Sequence, residues 1–144
     1  MAIQLQLRKG TKVQNEAFTG AEGELTYDTD SKGLHVHDGQ TPGGHMIDTV
    51  VAWQVPTAEN NYTWYRKYAS GWVEQGGIYN AEALTYLIPM ADTNYTMFLQ
   101  PMDTSGNYAM RCQNLTTTGA SIQTAASQWH EYSWRVSGMA AQNA

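Results

Sequence analysis

The sequence predicts an all-β chain in two modules: a short-stranded N-terminal module over residues 1–48 and a C-terminal antiparallel β-sandwich over residues 49–144. Three observations predict it. Short runs alternate apolar and polar residues with a period of two, the mark of half-buried strands. Turn-forming residues separate the runs at the spacing of about 8–12 residues expected of a sandwich or barrel. Composition also changes near residue 49: the first 48 residues hold seven of the 13 Gly and only Phe18 and Tyr27 as aromatics, while all five Trp and eight of nine Tyr follow.

In the first module, Ile3, Leu5 and Leu7 alternate with Gln4, Gln6 and Arg8 and predict a strand. Leu25 with Tyr27, and Leu34 with Val36, predict two more. Thr19-Gly20-Ala21-Glu22-Gly23, Asp28-Thr29-Asp30-Ser31-Lys32-Gly33 and Asp38-Gly39 carry strong turn chemistry between them. Strands this short bury little apolar surface alone and need a partner module or other chains.

The second module predicts strands near residues 50–55, 62–68, 72–74, 84–88, 95–99, 107–113, 120–124 and 129–136. A short helical turn is arguable only over residues 80–86. Ala69-Ser70-Gly71 reads as a hairpin turn, with glycine at the position that tolerates positive φ. Trp64, Arg66 and Tyr68 would then face one side of their strand, and Tyr65 and Lys67 the other. Strand-centre Trp64 and Trp72 read as core or subunit-interface aromatics.

Composition excludes several classes. Ser, Thr, Asn and Gln number 42, twice the 21 charged residues, and the net charge is −5. An acidic balance without Lys/Arg clusters argues against nucleic acid. No apolar run approaches the roughly 20 residues that span a bilayer, so no membrane insertion is expected. The alternating start has no apolar core of a signal peptide. A single cysteine makes no internal disulfide and suits assembly in a reducing cytosol.

The most specific text is Arg8-Lys9-Gly10-Thr11, then Ala17-Phe18-Thr19-Gly20-Ala21-Glu22-Gly23-Glu24-Leu25-Thr26-Tyr27-Asp28-Thr29-Asp30, then Val36-His37-Asp38-Gly39-Gln40-Thr41-Pro42-Gly43-Gly44. Over about residues 5–47 it resembles the N-terminal module of phage tail-fibre and tropism-determinant proteins. The resemblance implies a small trimeric β element that builds a shaft or prism. His35 departs from the pattern, which favours a basic residue there. The stretch Tyr62-Thr63-Trp64-Tyr65-Arg66-Lys67-Tyr68-Ala69-Ser70-Gly71-Trp72-Val73-Glu74-Gln75-Gly76-Gly77 is similar to a hairpin in the C-terminal knob of another tail-fibre family. Trp134-Arg135-Val136-Ser137-Gly138 resembles the terminal strand of those knobs.

Candidate binding residues follow from treating the knob as an up-and-down array, in which alternate connections share an end. Residues 56–61, 75–83, 101–106 and 125–128 would lie distally, and 69–71 and 89–94 would face the shaft. The distal set brings Tyr62, Tyr79, Tyr108 and Trp129 beside Asn60, Asn61, Asn80, Asp103, Ser105 and Asn107. Aromatic faces stack on sugar CH surfaces, while amides and carboxylates bond hydroxyls.

His35 and His37 are candidate metal ligands, since residues at i and i+2 share a strand face and three chains would bring three pairs to an axis. The competing reading is a turn histidine bonded to backbone. No cofactor is expected. Cys112 shares strand parity with Tyr108 and Met110 and reads as a small buried hydrophobe. The six carboxylates of the second module are scattered over loops and strand ends, so no catalytic residue is assigned.

The expectation is a homotrimeric phage tail-fibre protein, located in the virion, whose knob binds a host-surface glycan or outer-membrane protein and whose first module joins another tail or baseplate protein. The alternatives are a structural collar, baseplate or capsid-decorating component and, behind it, a polysaccharide-degrading enzyme.

Overall fold

A computed structural model describes residues 6–102, 109–124 and 131–142. The chain is mostly β, in two compact units. The first comprises residues 1–51 and 68–70, and the second 52–67 and 71–144.

The first unit is a four-stranded sheet of β1 (Arg8–Gly10), β2 (Leu25–Asp28), β3 (Leu34–Val36) and β4 (His45–Ile47), in that order. The strand expected over residues 3–8 is only partly described. Residues 3–5 lie outside the described part, Leu7 is in no strand, and pairing starts at Arg8↔Thr26. β1 runs parallel to β2, which demands a crossover rather than a tight turn. That crossover includes α1 (Lys12–Ala17), a helix that the alternation-based reading missed. Its one sequence signal is the pair Thr11 and Gln14. The Thr11 hydroxyl accepts from the Gln14 N–H at 3.3 Å, and the Gln14 side-chain oxygen accepts from the Thr11 N–H at 2.9 Å. Residues 68–70 join this unit because the Asp48 carboxylate accepts from the Ser70 N–H at 2.9 Å and the Ser70 hydroxyl at 2.8 Å.

The second unit is a sandwich. Its larger sheet has the order β5-β6-β7-β12-β9, from β5 (Val50–Gln54), β6 (Trp64–Tyr68), β7 (Trp72–Tyr79), β12 (Tyr132–Met139) and β9 (Thr96–Pro101). The smaller sheet is β10-β11-β8, from β10 (Met110–Thr116), β11 (Gly119–Thr124) and β8 (Ala83–Thr85). Residues 83–85 are therefore strand, where a helical turn was arguable. Gly71, at φ 89°, closes the hairpin that joins β6 to β7.

The array is not up-and-down. β7 pairs with the last strand, β12, instead of β8, and β12 also pairs with β9. The physical reason lies in β12 itself. Tyr132, Trp134 and Val136 are buried on one face, so this strand gains most from neighbours on both sides. The core packs them with Val73, Leu84, Tyr86, Met90 and Ile122, drawn from both sheets. Gln75, fully buried among them, satisfies its amide on one backbone unit: its nitrogen donates to the Ile88 carbonyl at 2.7 Å and its oxygen accepts from the Ile88 N–H at 2.9 Å.

Trp72 is not core. It is exposed at the edge of β7, while Trp64 on the same outward face is half-buried, with the Arg135 guanidinium 6.0 Å above its ring. Cys112 is half-buried, with its sulfur 3.3 Å from that of Met97, and burial pushes the thiol up. Among the described residues no helix is long and apolar enough to cross a membrane.

Candidate functional site

The registers Trp64↔Gly76, Tyr132↔Tyr79 and Tyr132↔Pro101 bring four strand ends to one edge of the larger sheet. The segment before β6, the segment after β7 and the residue before β12 meet there. Each is held from within. Ahead of β6, a single 3-10 turn (Ala58–Asn60) is closed by Asn60, whose side-chain oxygen accepts from the Thr57 N–H at 2.9 Å while its nitrogen donates to the Val55 carbonyl at 2.9 Å. Asn60 is thus spent on the loop.

The next two residues both adopt the left-handed conformation, Asn61 at φ 54° and Tyr62 at φ 55°. Asparagine tolerates it. A tyrosine there stores about 1–2 kcal/mol of strain. The conformation persists because the backbone is pinned: the Tyr62 N–H donates to the Thr57 carbonyl at 2.8 Å, and the Asn61 carbonyl accepts from the Ile78 N–H at 3.3 Å. Thr63 is clamped in turn by the Gln54 amide, which donates to its carbonyl at 3.1 Å and its hydroxyl at 3.0 Å. Gly77 admits this close approach, since a β-carbon there would lie 3.0 Å from the Thr63 α-carbon.

On the other side, Tyr79 ends β7 with its ring edge-on to Tyr132, centroids 6.2 Å apart. The result is an open cavity of about 330 Å³ lined by Asn61, Tyr62, Ile78, Tyr79, Asn80 and Glu131. Among the described residues, none hydrogen-bonds the amides of Asn61 and Asn80. Both residues are exposed, and each amide carries a donor and an acceptor.

Four of the nine candidate binding residues, Asn61, Tyr62, Tyr79 and Asn80, therefore share one cavity. Asn60 stands behind them as a structural brace. Asp103, Asn107, Tyr108 and Trp129 lie outside the described residues, as does Ser105. Ile78 and Glu131 were missed. Ile78 belongs to a strand whose expected end was residue 74, and Glu131 was one of six scattered acids with nothing local to single it out.

Each histidine of the pair has one ring nitrogen bonded to backbone. The His37 Nδ1 accepts from the Gly20 N–H at 3.1 Å, which sets the tautomer that donates from Nε2 to the Thr26 hydroxyl at 3.0 Å. The His35 Nδ1 donates to the Gly43 carbonyl at 2.8 Å. Both rings are buried. Among the described residues, no three metal-ligating side chains come together. His45 instead pairs with Asp38 at 3.1 Å on the surface.

Residues 5–41 match the Major tropism determinant N-terminal domain. The resemblance expected of the first module is met there. A curated tail fibre receptor-binding protein of Bordetella phage BPP-1 is 50% identical over 47 residues, which cover 33% of this chain and 12% of that protein. The chain thus spans only a small part of the length of this relative. Among solved structures, the U1 variant of the Major Tropism Determinant is 36% identical over 44% of this chain and 20% of its own, with a TM-score of 0.31. The R2 pyocin fibre of P. aeruginosa covers 62% of this chain and 26% of its own at 15% identity, with a TM-score of 0.47.

Proposed function

We propose that this chain is a phage tail-fibre protein that binds the host cell surface, acting as a homotrimer and by recognition rather than chemistry. The observation that carries the reading is the cavity in which two tyrosines, two unengaged asparagine amides and a carboxylate converge. Rigid loops presenting aromatic faces beside amides form the kind of surface that holds a glycan or a polar protein loop. The match of residues 5–41 to a tropism-determinant domain supports the same setting, with the first unit joining another tail or baseplate protein of the virion.

Trimerisation is supported by the first unit's economy. β1, β3 and β4 have three residues each, and β4 is exposed along its whole length. Such strands gain burial from further copies. Three copies also turn weak single-site contacts into useful avidity. The single cysteine suits assembly in the host cytoplasm. Among the described residues one carboxylate, Glu131, lines the cavity, which supports recognition, since glycoside cleavage uses two.

Attachment of labelled protein to host cells tests the reading, with light scattering to measure the mass. Tyr62→Ala and Asn80→Ala alter exposed side chains of the cavity, and each should weaken attachment about tenfold or more while the mass remains that of three chains. Full attachment by both variants, or binding to virion parts without binding to cells, would overturn it.

A further inference from the structure

Resting on the host-binding reading above, we infer that the cavity takes an uncharged pyranose and discriminates against anionic sugars. The six lining side chains carry one formal charge, and it is negative. Glu131 is exposed, and among the described residues no lysine or arginine lines the cavity. A uronate or another sugar acid would bring a second carboxylate within a few ångströms of Glu131 and find no cation to meet it. Two like charges about 4–5 Å apart in a water-like dielectric weaken binding about fivefold.

Every other lining group suits an uncharged ring. The faces of Tyr62 and Tyr79 and the side chain of Ile78 offer apolar surface to the CH groups of a pyranose. Asn61 and Asn80 each present a donor and an acceptor, the pattern that adjacent hydroxyls complete. The Glu131 carboxylate accepts from hydroxyl donors, a charge-assisted bond that an uncharged sugar makes without repulsion. A volume of about 330 Å³ lies at the small end of ligand cavities, sized for one or two sugar rings rather than a folded protein loop.

Saturation-transfer NMR on the full chain, with methyl glucoside, N-acetylglucosamine and glucuronic acid as probes, reads this directly. The two uncharged sugars should take saturation from tyrosine protons, with glucuronic acid bound about fivefold more weakly at neutral pH and low salt. Glu131→Gln should erase the difference, and Glu131→Lys should reverse it. Glucuronic acid binding as well as the uncharged probes, or a preference unchanged in Glu131→Lys, would overturn the inference. Cell attachment by Asn80→Ala separates the two levels. Lost attachment without a sugar preference removes the sugar class and keeps the host-binding site. Full attachment by that variant and by Tyr62→Ala removes the site and the inference together.

Discussion

The Tyr132 hydroxyl donates to the Ala81 carbonyl at 2.9 Å, tying the most buried aromatic of the core to the segment that follows β7. The same ring braces Tyr79 edge-on. One core residue therefore sets both the Tyr79 face and the path of the chain through Asn80. Burial, together with neighbouring Tyr79, also pushes the Tyr132 hydroxyl far above the usual phenol range, so it stays a donor at any physiological pH.

Tyr132→Phe keeps the ring and removes the bond. Stability should fall by about 1 kcal/mol, the usual net worth of such a bond with an acceptor left unpaired. Urea denaturation should show a lower midpoint at unchanged slope. Cell attachment should fall as well, because the Tyr79–Asn80 wall loses its tether.

Tyr62 predicts the opposite pairing of effects. Its left-handed backbone is a cost that glycine does not bear, so Tyr62→Gly should raise stability by about 1 kcal/mol. The substitution removes the aromatic face, so attachment should drop. A stabilised protein that still attaches as well as the parent would show that the strain serves the fold alone.

Gly77→Ala perturbs the other wall of the cavity, formed by Asn61 and Tyr62. The added β-carbon meets the Thr63 α-carbon at 3.0 Å, a backbone atom that moves only with the whole 61–63 segment. About 1–3 kcal/mol of destabilisation follows from such overpacking. Thermal melts should report it, and attachment should weaken because Asn61 and Tyr62 are displaced.

Much of this was legible in the sequence, and the failures have physical causes. The β6–β7 hairpin could be read from Trp64 through Gly77 because turn and strand patterns are local. The six-residue helix could not, since Lys12, Val13, Gln14, Asn15, Glu16 and Ala17 carry no apolar stripe and only the Thr11–Gln14 pair announces them. Strand order is non-local, and the insertion of β12 beside β7 depends on which strand buries most. Asn61, Tyr62, Tyr79 and Asn80 nonetheless line one cavity, because hairpin partners share an end whatever the rest of the array does. Glu131 joined them only through the β7–β12 ladder, 52 residues away from Tyr79. For the histidines, spacing gives a shared face but not the Gly20 N–H and the Gly43 carbonyl that each engage one ring nitrogen, nor the His35 Nε2 that has no partner among the described residues.

Acid should weaken the first unit through Asp38. Its carboxylate accepts from the Thr41 N–H at 2.7 Å, the Thr41 hydroxyl at 2.7 Å and the Gln40 N–H at 2.9 Å, and His45 adds a contact at 3.1 Å. The Thr41 backbone bond leads in holding this carboxyl well below the ordinary aspartate value of 3.8. Asp28 is also lowered: burial pushes it up, but hydrogen bonds from Ser31 and Asp30 outweigh that. A depressed native pKa means that below 3.8 the unfolded chain binds the proton first. The contribution is therefore complete above that value and is lost progressively as pH falls toward the native pKa. Melting temperature should hold from pH 7 to about 5 and drop between about 4 and 2. Asp38→Asn should melt lower than the parent at pH 7 and show a shallower acid decline, because its turn no longer depends on a charge. A parent and variant with parallel pH profiles would assign the acid lability to other carboxylates.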